Sequence, residues 1–452
     1  MPVGTSVPTT IRRLVDGTVR ASIEQIADRP AMVVRSVSVR RRGALSSEDG
    51  ATIRTAAETA LLQRIPLVLV LASSGADVSE GMDSLHGWGQ AARSIARCSG
   101  SVPIIAVVTG PAISGPALLL GLADIVLMTT EAFAFVSGPA MVQEFTGIAI
   151  GIHQLGGTAV HARSSGLCSI ETVDEDDAMA HVEHLLGHLP AHNDELPPTI
   201  ATDDPTGRLD VDLREAIPAK ATSSYDVRHI ASVIADDGAF TELGTRWSPQ
   251  LVTGLGRIAG RPVGFIANQP QALAGTLDIT ASQKGARFVR FCDAFNLPLI
   301  TLVDTPGFLP GKDLEWRGMI RHGAELAFAY AEATIPRICV ILRKAFGGAY
   351  IVMDSRGLGN DLCFAWPCAE IAVMGAEGAV QILNRRSTPE ERVGLQAEYT
   401  ERFLTPWQAA ERGFVDEVID PAETRATVAR ALSALVTARE HLPGRKHAIG
   451  PQ

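Results

Sequence analysis

The sequence is poor in aromatic residues, which make up 5% of its 452 positions. Base-stacking platforms for single-stranded nucleic acid need such rings, so that class of function is excluded. Positive charge is also short: 40 Lys and Arg face 50 Asp and Glu, a formal net charge of −10. A broad grip on phosphate backbones needs the opposite balance, so no nucleic-acid partner is expected. The six cysteines (Cys98, Cys168, Cys292, Cys339, Cys363 and Cys368) contain no CxxC pair, which removes a zinc ribbon. They sit in apolar runs, as reduced buried thiols would in a cytoplasmic protein. No HExxH, Walker loop or GxGxxG fingerprint occurs, and Ser114 stands in ISG rather than GxSxG. No targeting segment is evident. Residues 104–123 carry no charge, but Pro111, Pro116 and three glycines interrupt them. They read as a buried strand, a turn and a buried helix, so no membrane partner is expected.

What is present is ordinary globular material: 46% apolar, 20% charged and 42 glycines. The length predicts two or three domains. PLVLVLASSGA reads as a buried parallel strand, flanked by helical spacing on both sides. Strands then alternate with helices, which predicts an α/β class with mainly parallel sheets. Residues 189–221 are rich in Pro, Asp and Thr without a sustained period, like an interdomain linker. The expected domains are therefore 1–221 and 222–452. Each half contains a strand, a Gly-containing elbow, a helix and a second apolar strand. PIIAVVTGPAISGPALLLGLADIVLM lies opposite PRICVILRKAFGGAYIVMDSRGLGNDLCFAWPCAEIAVM, as an internal duplication would place it.

The elbows carry the chemistry. One holds Ser114, Gly115 and Pro116; the other holds Gly347, Gly348 and Ala349. Backbone N–H groups at a helix start lack an intrahelical acceptor, and the helix dipole adds positive potential there. Small residues admit a substrate oxygen close to the main chain, so each elbow can act as an oxyanion hole. Taken alone, either glycine turn is better explained by packing. His181, His184 and His188 share a helix face, which makes a metal site conceivable. They precede the polar stretch, and a solvated helix end without metal is expected. Asp174, Glu175, Asp176 and Asp177 read as a solvated helix start.

Several motifs closely resemble the carboxyltransferase (β) subunits of biotin-dependent acyl-CoA carboxylases, such as propionyl-CoA and acetyl-CoA carboxylase. They are ANQPQALAGTLDITASQKGARFVRFCDAFNLPLITLVDTPGFLPG, RKAFGGAYIVM and FAWPCAEIAVMGAEGAVQIL. SSGADVSEGMDSLHGWG and GPAISGPALLLGLADIVLM resemble the same family more loosely. The resemblance implies two tandem crotonase-like domains, the first binding acyl-CoA and the second biotin. It implies an active site shared between subunits of a homo-oligomer, a hexamer of three dimers. The implied partners are a biotin carboxylase and a biotin carboxyl carrier subunit, with biotin not attached to this chain. The implied reaction moves a carboxyl group from carboxybiotin to the α-carbon of an acyl-CoA, giving malonyl-CoA or methylmalonyl-CoA. By family position, the Ser114 and Gly115 amides hold the thioester oxygen. The Gly348 and Ala349 amides, beside Gly347, hold the biotin ureido oxygen. Tyr350 and Ile351 then follow in the substrate pocket, and the position of Ile351 lines the acyl group. A decarboxylase subunit of the same fold and a non-catalytic scaffold remain as alternatives.

The departures from the family fall on the CoA half. Its first elbow normally has two glycines, and here Ser114 replaces one. A serine amide can still donate if its φ is negative, whereas Pro116 has no N–H to offer. Asp77 stands where a basic residue is usual. Arg40, Arg41 and Arg42 precede a helix with Ser46 or Ser47 near its cap. They suit either the CoA phosphates or a solvated basic strand end.

Overall fold

A computed structural model describes residues 9–12, 17–37, 40–220, 223–445 and 447–451. The chain forms two compact units: residues 1–198 with 244–247, and residues 199–243 with 248–452. The change of unit at 198/199 precedes the boundary expected at Ala221, which lies outside the described residues. The Pro- and Asp-rich stretch is tied down by its own contacts within the second unit. Arg208 donates to Asp204 at 2.8 Å, and Arg425 pairs with Asp204 at 3.3 Å.

The first unit is an eight-stranded sheet. Its spatial order runs Thr9–Arg12, Val19–Ile26, Arg29–Ser36, Leu67–Ser73, Ile104–Ile113, Ile125–Thr129 and Ile170–Thr172, with Phe133–Phe135 beside Ile104–Ile113. The first three strands pair antiparallel and the rest are parallel. The second unit has the same plan. Phe240–Glu242, Leu251–Ile258 and Arg261–Asn268 form the antiparallel end. Leu299–Thr305, Arg337–Phe346, Leu362–Ala365 and Glu417–Val418 continue in parallel, with Glu370–Ala372 beside Arg337–Phe346. Central strands such as LVLVLAS and LITLVDT are apolar almost throughout because both faces are covered.

The duplication extends to irregularities. Ser73 pairs with Ala112 after a register break, as Thr305 pairs with Ala345. Gly43 and Gly275 have φ of +74° and +73°. A Cβ on them would stand 2.6 Å from the Ala72 carbonyl oxygen and 2.5 Å from that of Asp304. Only glycine allows both that φ and that approach. The helices before the central strands are capped in both units. Ser46 and Asp49 form a reciprocal box on Ser47–Gln63, and Asp278 accepts from the Ala281 N–H on Ile279–Ala294 at 2.7 Å. One expectation is refined: the helix after Ile104–Ile113 is a 3₁₀ segment, Gly115–Leu122, with Pro116 in its first turn. No helix among the described residues is long and apolar enough to cross a membrane.

Candidate active site

Both elbows lie where a long parallel strand ends on the same side of its sheet. Ile104–Ile113 runs into Ser114 and the 3₁₀ segment; Arg337–Phe346 runs into Gly347 and the short helix Gly347–Val352. A second backbone feature accompanies each. Leu45 forms a parallel bridge to Ala76: its N–H donates to the Gly75 carbonyl at 2.8 Å, and its own carbonyl accepts from Asp77 at 2.9 Å. Leu277 bridges Phe308 in the same way, through Gly307 and Leu309. In such a bridge the middle residue turns its own N–H away from the partner, so the Ala76 and Phe308 amides face the opposite direction. Gly75 lies against the first elbow, a Cβ on it standing 3.5 Å from that of Ser114. Phe308 lies against the second, 3.6 Å from where a Gly348 Cβ would be.

The first elbow differs from expectation at Ser114. Its φ is +64° with ψ −148°, a region that side-chain-bearing residues seldom enter. Its N–H donates to the Phe135 carbonyl at 2.9 Å, which continues the ladder with Phe133–Phe135. The condition of negative φ fails, and this amide is engaged within the sheet. Of the three residues, Pro116 has no N–H, so Gly115 carries the elbow's open amide. Over Gly115 lies the indole of Trp88, on the helix Met82–Cys98; a Cβ on Gly115 would be 2.8 Å from Cε2 and Cζ2. Asp77 is buried and caps a short turn, accepting from the Ser79 N–H and hydroxyl at 2.9 and 2.7 Å. Arg42 is exposed with φ +57°, and the side chains of Arg40 and Arg41 lie outside the described residues.

The second elbow keeps glycine where the backbone requires it: Gly347 has φ +60°. Gly348 is exposed and Ala349 buried, both in the first turn, where N–H groups lack helical acceptors. Beneath it, Asp304 joins the strands. Its carboxylate accepts from Arg343 Nε and the Lys344 N–H at 3.0 Å each, and from the Tyr225 hydroxyl at 2.9 Å. Burial pushes the Asp304 carboxyl above the usual range, with Arg343 and the Lys344 N–H opposing. Tyr350 packs inward, and burial raises its phenol.

A cavity of about 590 Å³ opens beside this elbow, lined by Gly347, Gly348, Ile351, Tyr399, Phe403 and Arg412 among others. Its size falls in the usual range of small-molecule sites. Ile351 is 44% exposed and lines it, so it is not core filler. Trp88, Tyr399, Phe403 and Arg412 were missed in the sequence: they lie far from the elbows along the chain, and only Trp88 falls within a family-like motif, SSGADVSEGMDSLHGWG, where nothing singles it out. His181 pairs weakly with Asp177 at 3.9 Å, and the His184 and His188 rings meet at 4.7 Å, tilted 57° to each other. Among the described residues no group of His, Cys, Asp and Glu could hold a metal ion.

Residues 8–449 match the family described as carboxyl transferase domain. The chain belongs to the carboxyl transferase family. This is the enzyme class of biotin-dependent acyl-CoA carboxyltransferases, in agreement with the resemblance drawn above. It is 42% identical to a propionyl-CoA carboxylase beta chain of Saccharopolyspora erythraea over 90% of this chain and 78% of that one. It is 41% identical to a methylmalonyl-CoA decarboxylase subunit alpha of Veillonella parvula, over 90% and 80%. Among solved structures, the hexameric transcarboxylase 12S with methylmalonyl-coenzyme A bound matches with a TM-score of 0.94 at 40% identity, covering 97% of this chain and 85% of that one. Two tandem crotonase-like domains in this family fit both sheets described here.

Proposed function

We propose that this protein is the carboxyltransferase subunit of an acyl-CoA carboxylase, acting on a short acyl-CoA with a biotin carrier and a biotin carboxylase as partners. The observation that carries it is the pair of backbone elbows in duplicated units, one of them intact in every residue of the family pattern. The N-terminal unit takes the acyl-CoA, with the Gly115 amide on the thioester oxygen. The C-terminal unit takes biotin, with the Gly348 and Ala349 amides on the ureido oxygen. When bound, carboxybiotin supplies the carboxyl group and then the base for the acyl α-proton. The chain's own part is to hold two developing oxyanions on preset dipoles, with no side-chain base in either elbow. Losing one such donor costs about 3 to 4 kcal/mol of barrier. The cavity beside Gly348 offers a mainly apolar wall to the group held there. The site is completed between subunits, in a cytoplasmic homo-oligomer built as a hexamer. The hexameric relative supports that assembly.

The test is transfer from a carboxylated biotin carrier to acetyl-, propionyl- and longer acyl-CoA, read as carboxylated product. Absence of product with every acyl-CoA overturns the proposal and favours a scaffold. Ile351→Asp sharpens it. A charge in this apolar lining carries a desolvation cost and alters which acyl groups fit. The ratio of kcat/KM between two acyl-CoAs should change more than about twofold while folding is retained; a methylene in an apolar pocket is worth about 1 to 3 kcal/mol. A second reading, a decarboxylase subunit, draws support from the relative of that name. Decarboxylation of methylmalonyl-CoA coupled to carrier carboxylation would favour it.

A further inference from the structure

The first elbow is short of donors, and one side chain beside it has a donor without an acceptor. Ser114 gives its N–H to Phe135, and Pro116 has none. Trp88 Nε1 is sealed from solvent and has no hydrogen-bond partner among the described residues. An indole N–H can only donate, and leaving it buried and unpaired is unfavourable. Native proteins pair nearly all such groups, so an orphan at a candidate site points to an acceptor that arrives with the ligand. Its position agrees. The indole lies face-on over Gly115, with a Gly115 Cβ point 2.8 Å from Cε2 and Cζ2 and 3.1 Å from Nε1 itself. Gly115 therefore has to be glycine to seat the indole, and the N–H lies next to the elbow's one open amide.

Resting on the reading of this elbow as the acyl-CoA site, we propose that Trp88 Nε1–H is the second hydrogen-bond donor to the thioester oxygen. It takes the place of the amide that Ser114 commits to the sheet. To reach the oxygen seated on the Gly115 N–H, the part-buried indole turns its N–H edge toward the elbow. The donor strengthens as negative charge develops on that oxygen, so its effect falls more on turnover than on binding.

The experiment compares wild type with Trp88→Phe, which keeps an aromatic ring and removes the N–H. Binding of propionyl-CoA and of S-propyl-CoA, a thioether without the carbonyl oxygen, is measured by calorimetry. The kcat and KM of carboxyl transfer are measured alongside. The expected result is a kcat lower by roughly 10- to 100-fold, at the modest end of donor deletions. KM for propionyl-CoA should rise only a few-fold, with no change in thioether affinity. Equal losses for thioester and thioether, or an unchanged kcat, would overturn the assignment by reducing Trp88 to a packing residue. Should Trp88→Phe fail to fold, benzothienylalanine at position 88 keeps the bicycle with sulfur in place of N–H, and the same outcomes apply. A wild-type chain that binds neither CoA compound would sink the acyl-CoA reading itself, and this assignment with it.

Discussion

The two elbows are copies of one device held in place by different means. In the C-terminal unit, glycine occupies the left-handed position, and the Asp304 carboxylate ties the elbow strand to its neighbour through Arg343 and Lys344. In the N-terminal unit, Ala72 occupies the place of Asp304 and has no carboxylate to offer, and Ser114 takes the left-handed position at φ +64°. Its strain, of order 1 to 3 kcal/mol, is sustained by the ladder bond to Phe135 and by the Trp88 ring over Gly115. One elbow is stabilised by charge and the other by packing. Duplicated sites can thus keep a backbone shape while exchanging the interactions that hold it.

The sharpest way to break the comparison is Gly348→Pro. It removes an N–H from the second elbow and leaves the first untouched. Carboxyl transfer should fall by at least about 100-fold, with acyl-CoA affinity by calorimetry nearly unchanged. Retained turnover would show that this elbow holds no oxyanion. Next comes a matched pair of alanines. Gly115→Ala drives a methyl to 2.8 Å from the Trp88 ring, whereas Gly348→Ala meets only Phe308 at 3.6 Å. The first should lose about 1 to 3 kcal/mol of stability to overpacking. The second should lose less than about 0.5 kcal/mol, as an open surface position does. Denaturant midpoints for both variants decide it, and equal losses would erase the difference between the elbows.

A third test uses charge. Lys284 is buried on the helix Ile279–Ala294, and burial pushes its ammonium down to about 7 from 10.5. Between those values the unfolded chain holds the extra proton, so stability rises with pH across the window. The same place in the N-terminal unit is Thr52, a neutral residue bonded to the Glu48 carbonyl at 3.0 Å. Lys284→Met should therefore flatten stability between pH 7 and pH 10, measured by urea unfolding at several pH values. An unchanged slope would mean that the ammonium is better solvated than its burial implies. A gain in place of a loss is expected from Ser114→Gly. Relief of about 1 to 3 kcal/mol of strain outweighs about 0.4 to 1 kcal/mol of added chain entropy, leaving a gain of about 1 kcal/mol. A loss of stability would mean that Ser114 is unstrained.

Much of this was legible in the residues. The alternation of apolar strands and helices, the paired elbows and the Gly347-Gly348 turn each follow from local pattern, so the α/β class and the duplication could be read directly. The long C-terminal motifs pointed to the family. The details that separate the elbows were not legible, because their causes are distant in the chain. The φ of Ser114 is set with Phe135, in another strand; the fit at Gly115 is set by Trp88, in a preceding helix. A Pro- and Asp-rich composition reports exposure and not which core a segment joins, and residues 199–220 group with the second unit.

The division of the chain has a consequence for its synthesis. Residues 244–247 belong with the first unit, where Gly244 donates to the Ser169 carbonyl at 2.8 Å, Arg246 pairs with Glu171 at 2.9 Å and the Trp247 ring covers Gly166. The first unit is therefore unfinished when residue 198 leaves the ribosome. A stretch of the second unit has to emerge before Trp247 can close over Gly166, so the usual order of one domain completed before the next begins does not hold. A break engineered at residue 198 would separate the first unit from its own last piece.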